Sequence, residues 1–380
     1  MTKHAWLAGI LACMILGGAC CPAAAQTEND VSASVQSAAQ YLADRMDATV
    51  GDLYVYKDYA VNENHFVAKG RISTQGEEEL VSIMDENCTD NPASGDSCIR
   101  CRVGVADDNW GGWLFINGKL EAGETTPTPV WGDVDGCTLD LSGANKLTFM
   151  ARGAAGGEQV EFFVGGLGRS GETGKATTEY PDSTSKRTTG VITLTDTWQQ
   201  YTIDLAGANL TSIGCGFGFV VTAGNNRSAA ADSGEVVFYL DNICFRGDII
   251  SEDTPRFIAS YETENQYIKN AAFSYDNALC AMAFTALGEQ QRARLILDAF
   301  IYAMANDRYA TDRVRNAYVY GSPCSFPGWG GTTRLPGFMM DGAYYEDQYQ
   351  VGSNLGNTSF VALAMLKYYA RYGGEVYLQT

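Results

Sequence analysis

The chain has 380 residues, 26 Lys and Arg against 45 Asp and Glu, and a formal charge of −19. His4 and His65 are its two histidines, and His4 falls in an apolar leader, so a Ser-His-Asp or Cys-His arrangement would have to use His65. A His-rich zinc site, a phosphate-neutralising basic patch and a polybasic membrane dock are excluded, leaving acid–base work to carboxylates with Tyr or Lys as fallback.

Residues 1–25 read as a signal peptide. Lys3 and His4 precede an apolar run from Ala5 to Ala19, too short to span a bilayer. Ala23, Ala24 and Ala25 supply small residues for cleavage before Gln26. A second reading places a lipid anchor on Cys20 or Cys21, after Leu16-Gly17-Gly18-Ala19. The expected location is secreted or periplasmic, or the outer membrane for a lipoprotein. No later run of 18 apolar residues occurs, so no transmembrane segment is expected. Of 11 cysteines, three lie in the leader; an even number follows, as suits an oxidising compartment. Cys88 and Cys98 bracket a polar loop and are an expected bridge, and Cys280 with Cys324 is a second. Cys98 and Cys101 have CxxC spacing, but no second CxxC follows and the segment reads as a strand.

Residues 26–50 read as a helix or linker, with Val31, Val35, Ala38, Leu42 and Met46 at helical spacing. From 51 to 250 short alternating runs are broken by Gly, Asn, Asp and Ser. Examples are Leu147, Phe149 and Ala151, or Val160, Phe162 and Val164, each putting one face in a core. Eight or more such strands predict a β-sandwich of jelly-roll type. After Pro255 the period becomes helical, over Tyr267–Leu287, Gln290–Ala305 and Thr358–Tyr372. Gly288 caps the first, and the first two form an αα-hairpin. Residues 306–356 read as one long loop, a length that is usually functional. Three helices and a giant loop are not a finished layered domain, so residues 251–380 read as an incomplete all-α region.

The strings Tyr54-Val55-Tyr56-Lys57-Asp58, Leu139-Asp140-Leu141-Ser142-Gly143-Ala144, Trp198-Gln199-Gln200-Tyr201-Thr202-Ile203-Asp204-Leu205 and Phe238-Tyr239-Leu240-Asp241-Asn242-Ile243 carry a resemblance. The segment from Tyr54 to Phe245 resembles a galactose-binding-like jelly-roll carbohydrate-binding module of secreted bacterial proteins. Ser274-Tyr275-Asp276-Asn277-Ala278-Leu279 and Tyr345-Glu346-Asp347-Gln348-Tyr349 carry a second. Residues 267–378 look like the start of an (α/α)-toroid of the kind used by many glycoside hydrolases. The resemblances imply a polysaccharide or oligosaccharide ligand and carboxylate-based hydrolysis without a required cofactor. The alternatives are a non-catalytic glycan-binding protein and, less favoured, a polysaccharide lyase relying on Tyr.

Glycoside cleavage needs two carboxylates flanking the bond. Asp276, near a helix start, and Glu346 and Asp347, among tyrosines that would desolvate them, are the catalytic candidates, against structural ion pairs or caps. Trp329 between glycines, Tyr345 and Arg315 are candidate substrate contacts in the same third, with Arg315 alternatively neutralising a carboxylate. In the sandwich, Trp110 and Trp113 flank Gly111-Gly112; one is expected to stack on sugar and the other to be core. Trp131 follows a Pro-containing loop that would expose it, and Trp198 reads as core. In similar modules an acid at the position of Asp241 helps hold a structural Ca2+; a turn or cross-strand hydrogen bond is the other reading.

Overall fold

The computed structural model describes residues 28–379 except 60, 62, 75–81, 106–107, 120–126, 172–173, 231–232, 264, 266, 308, 324–334, 341–342 and 347–349. For 28–32, 337–340 and 343–346 the backbone alone is described. The leader, with Cys20, Cys21 and the cleavage site, lies outside the described residues, as do Cys324, Trp329 and Asp347.

A helix α1 (Glu28–Asp47) opens the structure. The strands β1 (Gly51–Tyr56), β2 (Ala68–Ser73), β3 (Ser82–Cys88), β4 (Cys98–Gly104) and β5 (Trp110–Ile116) follow. Two short strands, β6 (Gly118–Lys119) and β7 (Thr128–Pro129), pair with each other. Then come β8 (Ala144–Gly153), β9 (Gln159–Val164), β10 (Arg187–Thr193), β11 (Gln199–Asp204) and β12 (Cys215–Thr222). A single turn α2 (Ala223–Asn226) leads to the long β13 (Glu235–Ile250).

These strands make two antiparallel sheets. One runs β11-β8-β13-β4-β3, with β1 added along β13; the other runs β10-β9-β12-β5-β2. The inward registers meet in one apolar core that includes Val103, Phe115, Leu147, Phe149, Phe162, Phe217, Phe219 and Phe238. Its rings interlock: Phe149 and Phe162 lie 4.7 Å apart, and Phe219 meets Phe238 edge-on at 5.0 Å. Each fully buried Phe contributes about 2–3 kcal/mol of transfer free energy. The sandwich is therefore as expected. The strands β3 and β10 escape the sequence pattern because each is an edge with alternating wet positions and few apolar residues.

Cys88 and Cys98 face each other in register across β3 and β4. Both are buried free thiols in the structure, and Cys280 is a half-buried one, so a bridge at 88–98 is not shown. Register supplies the neighbours, and an S–S bond is a separate oxidation that the fold does not require. The remaining expected bridge cannot be placed, because Cys324 is outside the described residues.

The helical body contains β14 (Ala271–Phe273), α3 (Ser274–Leu287), α4 (Gln290–Ala305), β15 (Ala317–Val319), β16 (Gly337–Met340), β17 (Ala343–Glu346), α5 (Leu355–Tyr372) and α6 (Val376–Gln379). The expected helix from Tyr267 starts seven residues late. Residues 271–273 instead ladder with β15, and Ser260 Oγ accepts the Phe273 N–H at 2.8 Å. Gly288 ends α3 in the left-handed region, φ 87°, as its sequence position implies. The expected long loop holds β15 and the β16–β17 hairpin, so it is not structureless.

Residues 26–50 are more than a linker. Leu42 and Met46 of α1 sit in the helical core with Phe257, Met282, Phe300 and Tyr318. Arg256, 2% exposed, donates to Met46 O at 3.1 Å, and Asp47 pairs with Arg292 at 2.7 Å. The helical body is thus built from both flanks of the sandwich. Its four longer helices share one core, and an (α/α)-toroid is not shown.

Candidate functional site

Alternation in the five-stranded sheet fixes a second, outward face. Phe115, Phe217 and Phe219 point into the main core, so Leu114, Ile116, Gly218 and Val220 point away from it. Phe163 joins that outward row opposite Gly218. Leu114, Ile116, Phe163, Leu167 and Cys215 form a separate apolar cluster there, with Ile72 and Val220 against it. Gly218 keeps the floor low: a Cβ there would lie 2.7 Å from the Phe163 ring. At Gly70 the added Cβ would lie 2.5 Å from Trp131 Cη2, so the Trp131 ring covers the outward side of β2. Trp131 remains 39% exposed.

A cavity of about 320 Å³ opens between this floor and the loop after β9. Leu114, Phe163 and Leu167 supply apolar lining, and Arg169 and Lys186 supply polar lining. Gly165, Gly166 and Gly168 turn that loop with positive φ of 71°, 86° and 66°, which glycine adopts without strain. Asp182, with no exposed surface, anchors it. Its carboxylate accepts the N–H groups of Leu167 at 2.8 Å, Gly214 at 2.5 Å and Cys215 at 3.3 Å. Burial pushes this carboxyl up to about 6 against the pull of those three bonds. Arg169 is held to the same loop through the carbonyls of Asp182 and Gly174.

The polar rim is ordered too. Lys186 Nζ sits 5.1 Å from the Phe163 ring centre and donates to Glu161 Oε1 at 2.8 Å. Thr188 donates to the same oxygen at 2.6 Å. Burial alone would raise the Glu161 carboxyl, but the bonds from Lys186 and Thr188 outweigh it and hold it below its usual range. An apolar floor, an exposed indole and a charged hydrogen-bonding rim suit a ligand with apolar ring faces and hydroxyl edges.

Trp110, 37% exposed, shares the outward register of Leu114 at the far end of β5. Trp113, one register off, is half-buried and packs against the main core. Of the two, Trp110 is therefore the exposed ring and Trp113 the core-facing one. Trp198 is half-buried on the other sheet, where Nε1 donates to Asn91 O at 2.8 Å.

Asp241 is fully buried at the base of the loop joining β3 to β4. Oδ2 accepts Ala93 N–H at 2.7 Å and Ser94 N–H at 2.9 Å, while Oδ1 has no hydrogen-bond partner. Burial pushes its carboxyl up to about 6, with the Asp58 charge adding to the rise. Asp58 itself accepts Tyr59 N–H, Asp96 N–H and the Ser97 hydroxyl. Asp241 Oδ2 and the Asp58 carboxylate accept N–H and O–H donors while Asp241 Oδ1 accepts none, and no cluster of three metal-ligating side chains occurs among the described residues. Through Oδ2, Asp241 anchors the loop between β3 and β4.

Of the candidates in the helical third, Asp276 and Arg315 have described side chains. Asp276 is in the first turn of α3, where burial raises its carboxyl and a bond with Ser260 offsets part of that. Glu346 and Tyr345 lie in β17, opposite Gly337 and Phe338, with the backbone alone described. Asp347 and Trp329 fall outside. Arg315 is 3% exposed and bidentate on Asp307, with contacts of 2.5 and 2.6 Å, and donates to Val351 O at 2.9 Å. This corrects the expected substrate contact to a buried ion pair: the guanidinium faces a carboxylate inside the body. Asp307 was no candidate, because sequence separation does not reveal which acid an arginine meets. The Asp182 anchor and the Phe163–Lys186–Glu161 rim were missed as well. Their one signal was the doubly apolar texture of Trp113-Leu114-Phe115-Ile116, which marks a strand with both faces covered.

The sandwich is similar to a family 11 carbohydrate-binding module from Clostridium thermocellum, solved with a β-1,3-1,4-mixed-linked tetrasaccharide. That likeness has 13% identity and a TM-score of 0.32, over 53% of this chain and 99% of that one. It is also similar to the family 30 carbohydrate-binding module of the cellulosomal cellulase Cel9D-Cel44B of Clostridium thermocellum, at 19% identity and a TM-score of 0.30, over 52% and 98%. A third is the CBM22-1 xylan-binding domain of Paenibacillus barcinonensis Xyn10C, at 9% identity and a TM-score of 0.27, over 53% and 99%. No family model and no curated protein matches the chain.

Proposed function

We propose that this protein binds a polysaccharide or oligosaccharide along the outward face of its five-stranded sheet. The carrying observation is the exposed Trp131 ring lying over side-chain-free Gly70 on the β2 edge, with the apolar floor running from it across β5 and β12 to the Glu161–Lys186 rim at β9. A pyranose presents C–H groups on its faces and hydroxyls at its edge. The indole and floor take the first, and the rim takes the second. Trp110 extends the same face and would meet a longer chain. The jelly-roll, galactose-binding-like subtype and export through residues 1–25 belong to this reading, since an extracellular glycan is the ligand such a face meets.

Hydrolysis is not part of the proposal. It needs a second carboxylate facing Asp276, and the side chains of the candidates Glu346 and Asp347 lie outside the described ones. The test is titration of the full chain with mixed-linked β-glucan, xylan and cello-oligosaccharides by calorimetry and affinity electrophoresis. At least one should bind, and Trp131→Ala should weaken it about tenfold or more, equivalent to about 1.4 kcal/mol. Leu366→Ala, on the helical body, should leave affinity unchanged. Retention of full affinity by Trp131→Ala, or no binding to any of the three glycans, would sink the proposal.

A further inference from the structure

A second cavity, of about 530 Å³, lies where the sandwich meets the helical body. It shares no lining residue with the groove. Arg45 of α1, Glu63 of the loop after β1, and Tyr261, Glu262, Lys269 and Asn270 before β14 line it. The lining carries two cations, Arg45 and Lys269, against two carboxylates, Glu63 and Glu262, and the ion pairs leave out Lys269. Glu262 pairs with Arg45 at 3.0 Å. Glu63 pairs with Lys57 at 2.8 Å and bonds Tyr320; burial would raise its carboxyl, but these partners hold it below the usual range. Lys269 is the odd cation. Its half-buried ammonium makes one long bond, 3.4 Å to Tyr59 O, and no ion pair among the described residues.

The walls also carry sugar-compatible chemistry. Tyr261 is 41% exposed, its ring set edge-on against Phe273 at 5.9 Å, which fixes an aromatic surface at the mouth. Glu63, Glu262 and Asn270 offer acceptors for hydroxyls. The volume is within the range of small-molecule sites, about 300–1,000 Å³. An ammonium partly removed from water attracts a carboxylate more strongly than an exposed one does.

We propose that this cavity binds an acidic sugar of the hexuronate class, with Lys269 as counter-ion to the carboxylate and Tyr261 against the ring. The proposal goes beyond glycan binding by the groove and does not depend on it. The test is calorimetric titration of the full chain at low salt with glucuronate, galacturonate, glucose and acetate. Circular dichroism of the variants confirms folding. A uronate should saturate one site, with glucose and acetate each at least about tenfold weaker. Lys269→Gln should weaken the uronate at least about tenfold, and Tyr261→Ala several-fold. Uronate affinity untouched by Lys269→Gln, glucose or acetate matching the uronate, or no saturable uronate binding would each overturn it.

Discussion

The sandwich and the helical body treat apolar surface in opposite ways. In the sandwich, one cluster of the apolar surface left over after the core is filled is roofed by a glycine-turned loop and edged with ordered charges, with a smaller cluster on the other sheet. In the helical body, leftover apolar side chains stand along α5 and α6 without a rim: Leu355 is 83% exposed, Leu366 51% and Val376 46%. The contrast teaches what separates a site from mere exposure. A site combines apolar floor, shaped walls and fixed polar partners, and only the first of these is a matter of hydrophobicity.

Substitutions can break this contrast. The largest effect is expected in the sandwich core, where Phe217 meets Phe115, Phe149 and Phe162. Phe217→Ala should cost about 3–5 kcal/mol by chemical denaturation and abolish glycan binding in parallel. An effect of comparable size belongs to the helical body's buried ion pair. Arg315→Met strands Asp307 in the interior and should cost about 3–5 kcal/mol, with glycan affinity retained at temperatures where the variant stays folded. Lost affinity in that folded variant would return Arg315 to the binding machinery.

A smaller effect follows pH. The folded carboxyls of Asp182 and Asp241 are pushed up to about 6, above the ordinary 3.8. The folded chain therefore holds protons that the unfolded chain has released, and their contribution to stability falls as pH rises from about 4 to about 6, then levels off. The lowered carboxyls Glu63, Glu161 and Asp307 act oppositely, losing their stabilisation as pH falls below the ordinary carboxylate range. Calorimetric Tm across this range should show a shallower fall between pH 4 and 6 for Asp241→Asn than for the parent; an unchanged slope would remove Asp241 from the account. The smallest effect is expected at Leu366→Ala, within about 0.5 kcal/mol of the parent. A cost as large as that of Phe217→Ala would erase the distinction between the two regions.

Much of the sandwich was legible because period-two alternation reports directly which register is buried, as in Leu147-Thr148-Phe149 or Val160-Glu161-Phe162. The helical body was legible in its helices but not in its membership. Nothing local in Leu42 or Met46 says that they close a core with Phe257, more than 200 positions away. The site was half legible. Trp131 could be marked as exposed by its Pro-containing loop, whereas Trp110 and Trp113 flank the same two glycines and were left unsorted. Asp182 could not, since a buried anchor is defined by three backbone N–H groups from distant strands. Arg315 kept two readings, substrate contact or carboxylate neutraliser, for the same reason: charge is visible in a sequence, and its partner is not.

The central claim is that the outward face of the five-stranded sheet holds a glycan through Trp131. Calorimetric titration of the parent and Trp131→Ala with the best of the three glycans tests it most directly. The expected result is saturable binding by the parent and a loss of about tenfold or more in the variant, with the folded spectrum unchanged. Equal affinity of the two proteins would contradict it.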